Sequence, residues 1–123
     1  MSLLYVMLGG AFGSGARYLT GLATLSLFGP ALPYGTLAVN LIGGLLMGAL
    51  VGTLARVGDG GTWRLLLGVG VLGGFTTFSS FSLDAVTMIE RGQTGIAFGY
   101  VLVSVAGSIA ALFAGLSLTR TVA

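Results

Sequence analysis

The stretch Leu65-Leu66-Leu67-Gly68-Val69-Gly70-Val71-Leu72-Gly73-Gly74-Phe75-Thr76-Thr77-Phe78-Ser79-Ser80-Phe81-Ser82 decides how this chain is read. It belongs to a charge-free run over 65–83, close to the ~20 residues that a helix needs to cross a bilayer. The first half is apolar enough for such a helix. The second half is not uniform, because paired glycines lead into a Thr/Ser-rich segment, and both features weaken a helix at mid-span. Irregular backbone at membrane depth persists only where protein or a water-filled cavity satisfies its polar groups. The expected structure is a third helix broken near its middle, whose half-helix ends present free carbonyls to cations or free amides to anions. An intact helix with a glycine-rich packing face accounts for the same composition.

The rest of the chain places this stretch in a membrane. Of 123 residues, 55% are hydrophobic and 7% are charged, against about 25% charged in an average soluble domain. Five arginines, three acidic residues and no lysine cannot cover a water-facing surface, so the surface must face lipid. The expected fold class is an all-α membrane protein, one domain over 1–123. Twenty-three glycines in so apolar a chain point to close helix–helix contact. The absence of Cys and His removes disulfides, thiolate and imidazole ligands, and the commonest general base, so no enzyme is expected. A net charge of +2 from so few groups describes no nucleic-acid-binding face. The first apolar stretch has no basic residue before it and is too long for a signal-peptide core, so it is expected to be retained as a span. Gly68, Gly70 and Gly73 fit the GxGxxG pattern, but that motif requires a strand and a βαβ unit, and here it falls inside an apolar span.

Charge-free runs over 2–16, 18–55, 65–83 and 92–119 define four spans. Gly29-Pro30 and Pro33 divide the second run, so helices are expected at about 3–27, 34–55, 63–89 and 94–118. Loop 56–62, with Gly58, Asp59, Gly60 and Gly61, and the segment Glu90-Arg91-Gly92 are the exposed turns. Arg56, Arg64 and Arg120 then share one side of the membrane, with Arg91 and Arg17 toward the other. So weak a bias is compatible with one orientation or with insertion both ways, the latter allowing an antiparallel dimer.

Several intramembrane residues carry chemistry. Phe78 and Phe81 project within about 60° of each other on a helix, and their ring edges attract an anion without a full charge; lipid-facing or core positions are the plain alternative. Tyr100, Ser104 and Ser108 form a hydroxyl stripe that can replace water around an ion, or else bond to carbonyls within the bundle. Asn40 must face protein or water, offering its NH2 to an anion or to a neighbouring helix. Gly44, Gly48 and Gly52, like Gly9 and Gly13, form packing faces. Arg17 lies inside the first span, where it snorkels or meets Asp84, whose half-helix end points the same way.

The run from Gly73 to Ser82, with Gly35-Thr36 leading to Asn40 and Gly9 to Gly13 leading to Arg17, resembles the Fluc (CrcB) fluoride channel family over essentially the whole chain. That resemblance implies a fluoride-selective channel of the cell (inner) membrane, built as a dual-topology antiparallel homodimer in the lipid bilayer. Backbone carbonyls of Gly73 and Thr76 from both subunits would hold a central structural sodium ion (Na+). Phe78 and Phe81 would meet fluoride with their ring edges, Asn40 would donate to it or orient the site, and Tyr100, Ser104 and Ser108 would form a polar track, joined by Thr36. Arg17 would serve structure or anion entry near the vestibule. Asp84 departs from the family's usual Glu, and Ser80 from its usual Thr. A small multidrug exporter has similar size but needs an embedded acid in its first span, where this chain has Arg17. A non-transporting membrane assembly protein, with Gly and Ser serving only packing, is the other alternative.

Overall fold

A computed structural model describes residues 2–57 and 61–121; Gly58, Asp59 and Gly60 of the expected turn lie outside them. Among the described residues every regular element is helical. Helix α1 spans Ser2–Phe28 and α2 spans Tyr34–Val57. A π-helical segment, Arg64–Leu72, runs into one turn of α-helix, α3 (Gly73–Phe75), followed by α4 (Phe78–Glu90) and α5 (Thr94–Thr121). Three helical stretches, Tyr34–Val57, Arg64–Glu90 and Thr94–Arg120, are long and apolar enough to cross a membrane. Helix α1 has comparable length but carries Arg17 in its interior.

Local chemistry sets the turns. Gly29 adopts φ +81° and donates its N–H to Leu25 O at 2.9 Å, a left-handed cap that Pro30 prevents from reverting to helix. Gly92 takes the same conformation after α4. There Gly92 N–H bonds to Ile89 O and Gln93 N–H to Met88 O, the paired closure of a Schellman motif.

Glycines line the closest helix seams, and many large apolar side chains face outward. The most extensive helix contact is α2 on α5. A Cβ at Gly48 would overlap the Leu112 carbonyl, and one at Gly115 would overlap the Leu45 carbonyl. Gly44 backs onto Ser108 O in the same seam. A second seam joins α1 to the π-helical segment and α3: a Cβ on Gly9 would strike Leu66 O, one on Gly13 would strike Val71 O, and Gly10 meets Gly74. Phe12, Leu27, Phe98, Leu102 and Phe113 point outward and are exposed, which suits lipid rather than water as solvent. Phe81, Met88, Ala97 and Tyr100 pack as a small apolar core between α4 and α5, and Val39 and Leu72 are buried elsewhere in the bundle.

Candidate functional site at the helix interruption

Between α3 and α4 the backbone leaves the helical region. Thr76 has φ −84°, ψ 159° and Thr77 has φ −152°, ψ 123°. The N–H and the Oγ1 of Thr76 both donate to Leu72 O, each at 3.0 Å, closing the first half-helix. Thr77 caps the second, its Oγ1 accepting from Ser80 N–H at 3.2 Å. Capping of this kind satisfies one of the donors that every helix start leaves without a partner.

Side chains from the first two helices take up some of the groups that remain. The carboxamide of Asn40 docks on Thr77: Thr77 N–H donates to Oδ1 at 2.9 Å, and Nδ2 donates to Thr77 O at 3.1 Å. Arg17 Nε donates to Gly74 O at 3.2 Å. The sequence offered Asp84 as a partner for Arg17; Asp84 instead accepts from Tyr100 OH at 3.2 Å. The freed Gly74 carbonyl lies beside α1 through the Gly10 contact, within hydrogen-bond reach of Arg17. Neither the Asn40–Thr77 pair nor the Arg17–Gly74 bond is readable from local sequence, since their partners are 37 and 57 residues apart. The cap could have been found, because Thr77 is a preferred N-cap residue type standing directly before Phe78.

The interruption separates two cavities, and Thr77 lines both. One, of about 390 Å3, brings together Asn40, Thr76, Thr77, Phe78, Phe81, Ser104 and Ser108. The Phe78 and Phe81 ring centroids are 5.4 Å apart, and Phe81 lies 5.4 Å from Tyr100. Phe81 is buried and Phe78 is 77% exposed, so the pair runs from the bundle interior to its outer face. Ser104 is 4% exposed, and its Oγ has no hydrogen-bond partner. The other cavity, of about 270 Å3, is lined by Arg17, Thr36, Thr77 and Ser80. Thr36 links it to a wider hollow of about 420 Å3 beside the α1–α2 turn, where Asp84 and Arg91 lie.

The carbonyls of Gly73 and Thr76 fit a small hard cation. Thr77 N–H, which would have continued the helical ladder onto Gly73 O, is held by Asn40 instead, and the extended ψ of Thr76 turns its carbonyl out of the helix. Backbone oxygens of this kind suit hard cations. Among the described residues no group of three or more His, Cys, Asp or Glu side chains could hold a metal ion.

Fold and site together define an α-helical membrane protein whose apolar stretch Arg64–Glu90 carries a polar interruption at Thr76 and Thr77. The family described as CrcB-like protein, Camphor Resistance (CrcB), matches residues 4–116. A protein of Phenylobacterium zucineum named fluoride-specific ion channel FluC is 59% identical over 123 residues, covering 98% of this chain and 97% of that relative. Proteins of the same name from Caulobacter vibrioides and Cereibacter sphaeroides are each 56% identical, over 98% and 97% of this chain and 96% and 94% of their own lengths. The chain belongs to the CrcB family.

Proposed function

We propose that this protein is a fluoride-selective channel of the cell inner membrane, a single four-span domain that lets fluoride leave the cytoplasm down its gradient and so limits its toxicity. The observation that carries this reading is the near-full-length identity to relatives named fluoride-specific ion channels. The cavity at the interruption supports it chemically. Fluoride is small and strongly hydrated, and a pore must replace its water without binding it too tightly to release. Ser104 brings a buried hydroxyl to the cavity, near that of Tyr100. Asn40 spends one of its two N–H donors on Thr77 O, leaving the other for the cavity. Phe78 and Phe81 contribute ring edges, which are weakly positive. Tyr100, Ser104 and Ser108 follow α5 as a polar track, with Thr36, Asp84 and Arg17 on the vestibule side.

The working unit is proposed to be an antiparallel, dual-topology homodimer, consistent with the weak arginine asymmetry between the two sides. The Gly73 and Thr76 carbonyls of both copies would hold sodium at its centre. There the ion would supply a fixed positive charge. No covalent chemistry is involved, and the protein is not an enzyme. Purified protein in liposomes, with voltage clamped by a potassium ionophore, is expected to release fluoride rapidly and retain chloride. Retention of both anions by folded protein would favour a membrane assembly role.

A further inference from the structure

In an uninterrupted helix the Thr77 N–H closes on Gly73 O one turn back. Here it is engaged by Asn40 Oδ1 at 2.9 Å, and Asn40 Nδ2 returns a bond to Thr77 O at 3.1 Å. The carboxamide thus meets both polar groups of one residue, with the donor–acceptor complementarity that one extended strand offers another. Thr77 has the extended backbone that this pairing requires. Helix α2 sets the carboxamide at this level, because Gly43 beside it lets the Thr76 methyl approach to contact. On the α1 side, Arg17 Nε occupies Gly74 O, whose own ladder donor, Phe78 N–H, lies beyond the interruption. Gly73 O is left as the carbonyl from which Asn40 has diverted the donor.

A residue needed only to greet an anion would not have to hold this peptide by both groups. We infer that Asn40 is a positioning residue for a cation at the interruption: by taking the Thr77 N–H it keeps the Gly73 carbonyl out of the helical ladder and available to the ion. This role is separate from donation to fluoride, which uses the remaining Nδ2–H. The inference rests on the cation reading above and assigns the same side chain to both ions, one through its oxygen and one through its nitrogen. Loss of the Oδ1 acceptor returns Thr77 N–H to Gly73 O and restores helix across the interruption.

The test uses full-length protein and sodium itself as the probe. Thermal unfolding is followed across sodium concentrations at fixed ionic strength, with N-methylglucamine as replacement, for wild type, Asn40→Leu, Asn40→Asp and Ser104→Ala. General destabilisation lowers the unfolding temperature at every sodium concentration but leaves the half-saturating concentration in place. Wild type is expected to show a saturable rise. Ser104→Ala should keep its midpoint while losing fluoride release. Asn40→Leu should need at least tenfold more sodium, whereas Asn40→Asp, which still offers an acceptor to Thr77 N–H, should respond at wild-type concentrations or lower. If Asn40→Leu yields no folded protein, Asn40→Ala makes the same comparison. A wild-type midpoint in the Leu or Ala variant overturns the positioning role alone. No sodium response in wild type overturns the cation reading and this inference with it, while leaving fluoride release to be judged separately.

Discussion

The α2–α5 seam and the Thr76–Thr77 interruption solve the same problem in opposite ways. Every backbone polar group in a bilayer must find a partner within the protein. Along the seam each helix keeps its own ladder, and glycine lets the two backbones touch: Gly48 lies on the Leu112 carbonyl and Gly115 on the Leu45 carbonyl. At the interruption the ladder fails over two residues, and side chains from distant helices supply what it lacked, Asn40 on Thr77 and Arg17 on Gly74. Packing in this bundle thus depends on residues without side chains, while its few polar side chains maintain an irregular backbone. Helix α5 serves both regions. Ser108 O belongs to the seam, whereas the Ser104 hydroxyl faces the cavity.

The comparison breaks most severely at the seam itself. Gly48→Leu would drive a side chain into the Leu112 carbonyl, a cost beyond the about 1–3 kcal/mol of ordinary overpacking, because backbone cannot rotate away. No monodisperse protein is expected on size-exclusion chromatography. At the interruption, by contrast, Asn40→Asp should leave a folded protein but cut fluoride release to the protein-free baseline in a liposome efflux assay. It replaces a donor with a negative acceptor in an anion path. Smaller effects sharpen the contrast. Tyr100→Phe removes the 3.2 Å bond to Asp84 and should cost about 1 kcal/mol in a denaturation titration, with fluoride release slowed several-fold rather than abolished. Smallest is Gly15→Ala, on the open face of α1 with nothing near its Cβ position. Its unfolding temperature should match or slightly exceed wild type, because alanine favours helix by up to about 1 kcal/mol. Gly13→Ala, two positions away against Val71 O, should be strongly destabilised.

What could be read from sequence follows the range of the forces involved. Gly29-Pro30 and Gly92 mark their turns because a positive φ and a missing N–H act locally. The glycine repeat of α2 announces its packing face because its periodicity is that of the helix, and its partner Gly115 lies on α5. The π-helical stretch Arg64–Leu72 was not legible. It lies where Gly9 and Gly70 bring two backbones together, a tertiary circumstance that no local propensity encodes. The partners of Asn40 and Arg17 were hidden for the same reason. Sequence reasoning could say that a buried carboxamide and guanidinium need partners, but not that both would choose the backbone of the third span. Asp84 shows the limit most plainly, since its partner is the hydroxyl of Tyr100 on α5 and not the arginine on α1.

The central claim is that ions pass through the cavity where Phe78 and Phe81 meet, with ring centroids 5.4 Å apart beside the interruption. Fluoride efflux from liposomes holding equal amounts of wild type, Phe78→Ile and Phe81→Ile, each shown to be folded, tests it most directly. Both substitutions keep apolar bulk and remove the positive ring edge, so fluoride release should fall close to that of protein-free vesicles in each. Wild-type release from both variants would contradict the account and place the pathway elsewhere in the bundle.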